Sequence, residues 1–472
     1  MAEILVLGGG VAGLSTALLL ARDGHRVTVV ERDPEPPPSE PEQAWQKWER
    51  RGVGQFRHLH YFLPRFRMLL ESELPEVARA AGAAGALRMN VLAGIPPELA
   101  GAPQDGDERL MVLTARRPVM EAALAGAAAA TEGVELRRGT AVKGLLSDGP
   151  GPGGVSHVCG IRTEGGDDLR ADLVVDASGR RSALPSWLSS LGGPPPQEEA
   201  DDSGFAYYGR HFRSPDGSLP PVFGPLLEHH GSVSTLTLPA DNGTWGVGLV
   251  VCSSDAALRP LGEVDRWEAA LARFPSVAHW AHGESISQGV TVMARLEDRI
   301  RRLVVEGAPV VTGVVAVGDA WACTNPSVGR GASMALLHAC ELRDLLRSAT
   351  PGDATGFALA WDVRTREAME PWYQATVAFD RHRLAEAHAA TRGEPHEPGD
   401  RLWETWRALE HAAILDPELL RALLRIMGLL ARADEVLTEP SVAQKAAALG
   451  GSWREAPAKG PSRAELVELL AG

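Results

Sequence analysis

Residues 3–32 read EILVLGGGVAGLSTALLLARDGHRVTVVER, and the reading of this stretch decides the fold. Glu3–Leu7 is a short apolar run of buried-strand type. GGGVAG follows at Gly8–Gly13, then a helical run from Leu14 to Arg22 that Gly24 ends. RVTVVER supplies a second strand. Strand, glycine turn, helix and strand in this order make a βαβ unit, whose crossover places the two strands parallel in one sheet. ILVLGGGVAGLSTALLL also has the hydropathy of a membrane span or signal segment. It lacks a basic flank and a cleavage site and carries four glycines, so a soluble strand–turn–helix is the better reading.

Gly8, Gly10 and Gly13 form GxGxxG, with Val11 and Ala12 between them. Such glycines permit a tight turn and a close backbone approach to a pyrophosphate, whose charge meets the helix N terminus. Glu31, with Arg32 beside it, ends the second strand 18 residues after Gly13. A carboxylate at that spacing can bind the hydroxyls of an adenosine ribose. The motif alone leaves NAD and FAD both open.

At 472 residues the chain is long for a single core, so two or three subdomains are expected. Its net charge of −14 offers no basic footprint for nucleic acid and disfavours an anionic membrane surface. The four cysteines, Cys159, Cys252, Cys323 and Cys340, show no metal spacing and read as reduced thiols of a cytoplasmic protein. No metal site is expected.

Further along, RDPEPPPSEPEQ (32–43) reads as a surface loop and residues 66–81 as one helix. RPVMEAALAGAAAAT reads as a helix with Pro118 in its first turn. VELRRGTAVKGLLSD and HVCGIRTEGG read as antiparallel strands around a loop at 149–154, and RADLVVDASG as a buried strand and turn. From 191 to 300 the alternation in GFAYYGRHFR, SVSTLTL, TWGVGLVVC and ISQGVTVMARL predicts an antiparallel sheet with one wetter face. On its first strand Tyr207, Gly209 and His211 share a face, and either face is a candidate pocket lining. Beyond 331 the chain reads as helical, broken at TRGEPHEPGD and around 436–460. It closes on a capping box from Ser462 and Glu465.

GDAWACTNPSVGRG, Gly318–Gly331, places a polar, tight-turning segment between a buried strand and a helix. It resembles the second FAD fingerprint of the group A flavoprotein monooxygenases, the 4-hydroxybenzoate hydroxylase type. Gly318 and Asp319 match the residues at the ribityl chain, and Pro326 the proline beside the reactive ring. Gly329 and Gly331, with Ala332 after them, match the glycines at the flavin pyrimidine edge. The resemblance implies Pro326, Gly329 and Arg330 as the catalytic set. Arg117 matches an arginine that opens a helix against FAD. RRGVGQFRHLHYFL resembles a natural-product branch that includes polyether-type epoxidases, which implies Arg51 and Gln55 as flavin-lining residues. His58 and His60 read as structural or catalytic alike. The chain departs from the family pattern at Ala322, Asn325 and Arg330. DASGRRS (176–182) replaces the family's Asp-Gly with Ser178 and Gly179 after Asp176, a form also found in halogenase and prenyl-modifying relatives.

The resemblance implies an α/β (α+β) fold of GR2 type. Its Rossmann-like FAD domain is expected in three parts, 1–81, 114–190 and 301–350. An excursion at 82–113, a substrate sheet at 191–300 and a helical region at 351–472 complete the chain. The implied activity is oxygen insertion from O2 through a flavin C4a-hydroperoxide, as hydroxylation or epoxidation of a small, apolar or aromatic metabolite. NADH or NADPH is the implied reductant, direct or through a separate flavin reductase, and bacterial secondary metabolism the setting. Asn325 joins Tyr207, Gly209 and His211 as the substrate-binding candidates. An alkene reductase, a halogenase-like enzyme and a non-catalytic flavoprotein that escorts an intermediate stand as alternatives. Against the halogenase, the tryptophan pair reads WQKWER and no lysine lies between Lys47 and Lys143.

Overall fold

Five strands form one parallel sheet in the order Val314–Ala316, Leu173–Asp176, Glu3–Leu7, Arg26–Val30 and Val134–Arg137. The computed structural model describes residues 1–150, 154–455 and 460–471. Both sheet faces are apolar because both are covered. Ile4, Val6, Val29 and Val175 pack under the helices Val11–Arg22 and Gly331–Ser348. Leu5, Leu7 and Val174 meet Leu145, Val158 and Ile161 of a three-stranded antiparallel sheet. Because all five strands are parallel, the loops after Leu7 and after Ala316 lie on one rim although about 300 positions separate them.

The second large sheet is antiparallel and centres on Phe205–Arg213 and Thr244–Cys252, flanked by Val233–Pro239 and Leu227–His230. Ala206, Tyr208 and Phe212 pack on Trp267, Phe274 and the final helix Arg463–Ala471, whose Ser462–Glu465 capping box is formed. The opposite face carries Phe205 and Tyr207, which pack with Val250, Met293 and Leu296. Expectation and structure differ here: neither face is wet, because helices cover one and the loop His58–Leu59 the other.

Other differences have local causes. Residues 66–81 are two helices, Pro64–Glu73 and Pro75–Ala83, because Pro75 cannot donate the N–H that would continue the first. The polar run at 32–43 runs into a helix, Pro41–Lys47, whose first turn tolerates proline. Val134–Arg137 pairs parallel with Arg26–Val30, and only Val142–Pro150 pairs antiparallel with Ser156–Thr163. The tip of the expected loop at 149–154 lies outside the described residues. Pro440–Gly450 is helical where a break is expected. It packs with Arg401–Ala412 and Pro417–Met427 into a cap over the cavity described below. No helix among the described residues is long and apolar enough to cross a membrane.

One buried ion pair joins the two sheets' territories. Asp241, between two substrate-sheet strands, accepts from the Arg116 backbone N–H at 2.6 Å and from Arg116 Nη2 at 2.7 Å. Arg116 is 1% exposed and Asp241 0%. Arg116 Nη1 also donates to Glu42, whose side chain is 40% exposed, so removing Asp241 leaves the buried guanidinium with only a solvent-screened carboxylate. Asp241→Ala should therefore destabilise the protein by about 3–5 kcal/mol, read as a lowered urea midpoint, and Asp241→Asn by less.

Candidate functional site

Gly8 leaves the sheet at φ +103°, and a Cβ there would lie 2.7 Å from the Ala177 carbonyl oxygen. At Gly13 a Cβ would lie 1.9 Å from the Gly8 carbonyl oxygen, so only glycine lets the helix start this close to the strand. Gly10 is different. A Cβ on it would meet nothing within 4 Å, and Gly10, Val11 and Ala12 line the main cavity. No side chain caps this helix, which leaves its first N–H groups and its dipole for an anion.

Beside the turn lies a buried charge network. Glu31 Oε2 accepts from Gly9 N at 2.7 Å and from Arg50 Nη2 at 2.8 Å, while Oε1 accepts from Asp33 N at 2.9 Å. Arg50, 3% exposed, also donates to Asp33 Oδ2 at 2.9 Å, Glu121 Oε2 at 3.0 Å and the Gly9 carbonyl at 2.9 Å. Burial works against this guanidinium, but Glu121, Glu31 and Asp33 hold its pKa above the usual value. Arg117 donates to Glu121 Oε1 at 2.5 Å and, through Nη1, to His60 Nε2 at 3.2 Å. That contact makes Nε2 an acceptor, so the proton sits on Nδ1, which donates to the His58 carbonyl at 2.9 Å. Burial and Arg117 keep His60 neutral, its pKa well below the usual range.

Across the cavity, Asp319 lies in a short turn, Gly318–Ala320, at the end of strand Val314–Ala316. Its carboxylate takes no hydrogen bond or ion pair from the described residues, and burial raises its pKa despite Arg180 and Arg117 nearby. Ser178 and Gly179 line the cavity on the adjacent turn. Asp176 lies beneath them and accepts from Ser178 N at 3.0 Å and from the hydroxyls of Ser178 and Ser182. It shapes the turn and has no face on the cavity.

Pro326–Val328 makes one tight turn, Gly329 follows at φ +67°, and helix Gly331–Ser348 begins without a side-chain cap. Pro326, Gly329, Gly331 and Ala332 line the cavity. Behind this loop two buried carboxylates hold it in place. Asp298 accepts from Asn325 N at 2.6 Å; Asp380 Oδ1 accepts from Ser327 Oγ at 2.6 Å and Asn325 Nδ2 at 3.2 Å. Tyr207 donates its hydroxyl to Asn325 Oδ1 at 2.8 Å. Arg330 points the same way, donating to Thr376 Oγ1 at 2.8 Å. Asp380 Oδ2 has no partner among the described residues; burial and then the charge of Asp298 push this carboxyl up to about 8.

The cavity measures about 2670 Å³ and runs from the glycine turn past Pro326–Gly329 into a wide chamber. A typical small-molecule site takes about 300–1,000 Å³, so a dinucleotide and a second molecule both have room. Chamber walls come from strand Leu227–His230, from residues 87–99 and from the C-terminal helices, through Phe379, Leu420, Leu424 and Met427. His58 lines it, buried and held near 4 by desolvation.

Residues 3–90 match the family model described as FAD dependent oxidoreductase. Over its length the chain is similar to Protein Rv3254 of Mycobacterium tuberculosis, 28% identical across 93% of this chain and 91% of the relative. PqsL of Pseudomonas aeruginosa, described as a probable FAD-dependent monooxygenase, superposes with a TM-score of 0.58 at 20% identity, over 82% of this chain and 96% of PqsL. The Diels-Alderase PyrE3 of pyrroindomycin biosynthesis gives 0.59 at 18% identity, over 90% of this chain and 80% of PyrE3. This is the fold of the group A FAD-dependent monooxygenases.

The residues present fit FAD: an open cradle at Gly10, an unpaired carboxylate at Asp319 and two uncapped helix N termini on one cavity. Of the residues singled out in the sequence, Gly8, Glu31, Arg32, Gln55 and Arg117 also line it. Gly13, Asp176, Gly318 and Arg330 support the walls from behind. Arg51 is exposed and lies off the cavity; Arg50 next to it turns inward to three carboxylates. Tyr207, Gly209, His211 and Asn325 come together, yet none reaches the chamber. Gly209 sits under Leu59, and His211 is buried beside Trp45. Asp298, Asp380 and the chamber lining of the C-terminal helices escape sequence reading, since the partners of the two carboxylates lie 27 to 55 positions away in the chain.

The Asp380 pKa carries a pH signature. The folded state holds a proton near pH 8 that the unfolded chain releases near pH 4, so this group's stability contribution is lost as pH rises across that window. Asp380→Asn should remove that slope, about 1.4 kcal/mol per pH unit. Melting curves at pH 5 and 9 should then show the variant gaining on the wild type at the higher pH.

Proposed function

We propose that this protein is an FAD-dependent monooxygenase that inserts one oxygen atom from O2 into a small, largely apolar or aromatic metabolite, by hydroxylation or epoxidation, in bacterial secondary metabolism. The observation that supports it is the continuity of one cavity from the dinucleotide cradle, past Pro326–Gly329, into a predominantly apolar chamber. FAD, when bound, supplies the redox chemistry and the activation of O2. The chain supplies the rest.

Gly10, Val11 and Ala12 present backbone N–H groups and a helix dipole to the pyrophosphate. Glu31 and Arg32 take the adenosine end and Asp319 the ribityl hydroxyls. Pro326, Gly329, Gly331 and Ala332 frame the ring, where the N terminus of helix Gly331–Ser348 favours negative charge. The apolar walls keep water from the reacting centre. Buried His58 and His60 stay neutral at pH 7 and serve as hydrogen-bonding and packing groups rather than acids. NADH or NADPH is the electron source, directly or through a flavin reductase. Ser178 stands in the turn where group A monooxygenases carry an aspartate.

The likeness to PyrE3, which extends over more of this chain than the likeness to PqsL, favours a second reading, in which the flavin shapes the chamber and a non-redox conversion occurs there. Stopped-flow mixing of the FAD-loaded protein with NADPH, NADH or a reductase system separates the two. Bleaching and reoxidation coupled to substrate oxygenation are expected; reoxidation with no oxygenated product under any of them would overturn monooxygenation. Gly10→Ala and Asp319→Ala should each weaken FAD retention about tenfold or more, the factor of a lost charged hydrogen bond or of a filled cradle. Dialysis followed by flavin absorbance checks this, and undiminished yellow protein in both variants would remove the site assignment.

A further inference from the structure

The chamber carries a cluster of polar side chains beside Phe379, which packs near the Pro326–Gly329 loop. His229, on strand Leu227–His230, and Arg407 and Glu410, on helix Arg401–Ala412, all line the cavity. The His229 ring lies 6.5 Å from that of Phe379, which packs in the same apolar cluster as Val328 of the loop.

Arg407 and His229 have bonding capacity left over. Arg407 Nη1 donates to Glu410 Oε2 at 2.5 Å, and Nε lies 3.3 Å from Glu386 Oε1. Its guanidinium sits 5.1 Å over the Trp453 ring, and Nη2 has no partner among the described residues. His229 Nδ1 lies 2.8 Å from Ser234 Oγ, and Nε2 has no partner among the described residues. A second guanidinium, Arg383, donates to Glu386 Oε2 at 3.0 Å and to the Gly231 carbonyl at 2.6 Å. Two guanidiniums thus meet two carboxylates, Glu386 and Glu410, and Glu228 lies close by with Ser276 Oγ on its carboxylate.

We infer that His229, Arg407 and Glu410 form a polar anchor that holds one uncharged hydrogen-bonding group, a hydroxyl or carbonyl, of an otherwise apolar substrate. Its oxygen accepts from Arg407 Nη2 and, if a hydroxyl, donates to His229 Nε2, with the histidine proton on Nδ1 toward Ser234. The apolar body then lies along the Leu and Met walls, toward the loop. A carboxylate would add a further anion to a charge-matched set beside Glu410 and Glu228, away from water. An ammonium would face the field of Arg383 and Arg407, which together with burial holds the His229 imidazole neutral. A neutral group incurs neither cost, and a few placed polar atoms in an apolar pocket are what fix orientation.

The inference rests on the proposed oxygenation only for what happens at the loop; binding is measurable without turnover. Isothermal titration of the full-length protein as purified, at pH 7, with 2-naphthol, naphthalene, 2-naphthoate and 2-naphthylmethylammonium compares four heads on one apolar body. 2-Naphthol should bind at least about tenfold tighter than the other three, the factor of one hydrogen bond to a charged group. The paired exchange Arg407→Met with Glu410→Gln, which keeps the charge balance, should bring 2-naphthol to within about threefold of naphthalene, the limit set by a lost hydrogen bond of that size. An ion that binds as tightly as 2-naphthol, or a paired variant with wild-type affinity for it, overturns the anchor. A failed stopped-flow test leaves this ranking standing, and a reversed ranking leaves the FAD reading standing.

Discussion

Arg50 is the point on which the dinucleotide half of the molecule closes. Its guanidinium ties the glycine turn at Gly9, the end of the second strand at Glu31 and Asp33, and the helix that carries Glu121. Buried ion networks are poor sources of net stability, because desolvation offsets most of the Coulomb gain. Their effect is on geometry: each partner left alone would be a buried charge, so the four segments have one low-energy arrangement. The cradle for a pyrophosphate is thereby formed before any ligand arrives.

The same logic recurs at the other end of the cavity. Asp298 and Asp380 hold the Asn325–Ser327 backbone and side chains from behind, and Tyr207 completes the set from the substrate sheet. Asn325 and Arg330, two of the three departures from the family pattern in this segment, are therefore positioning residues turned away from the chamber. The loop presents only Pro326, Ser327, Val328 and Gly329 to it. What the loop offers there is mostly backbone and apolar surface, and the polar side chains His229, Arg407 and Glu410 stand on strand Leu227–His230 and helix Arg401–Ala412.

Both nucleotide motifs were legible because their information is local. A tight turn between a strand and a helix needs glycine at Gly8 and Gly13 whatever the rest of the chain does. The strand alternation in FAYYGRHFR was legible too, but not which face looks inward, since that depends on Trp267 and Leu59, far apart in sequence. Arg51 and Arg50 show the limit most sharply. Adjacent arginines are interchangeable in a motif, and only the placement of Glu31, Asp33 and Glu121 around one of them decides which turns inward.

The sequence by itself determined a βαβ dinucleotide unit, a second FAD-type fingerprint at Gly318–Gly331, an antiparallel middle and a helical end. Local backbone geometry and hydrophobic period suffice for the unit, the sheet and the helices, and a family resemblance supplied the fingerprint. Tertiary structure alone decided that the helical end roofs the chamber and brings Arg407 and Glu410 to His229. It also decided that Tyr207 and His211 are wall rather than lining. Those outcomes depend on how three apolar surfaces share one interface, and no window of sequence contains more than one of them.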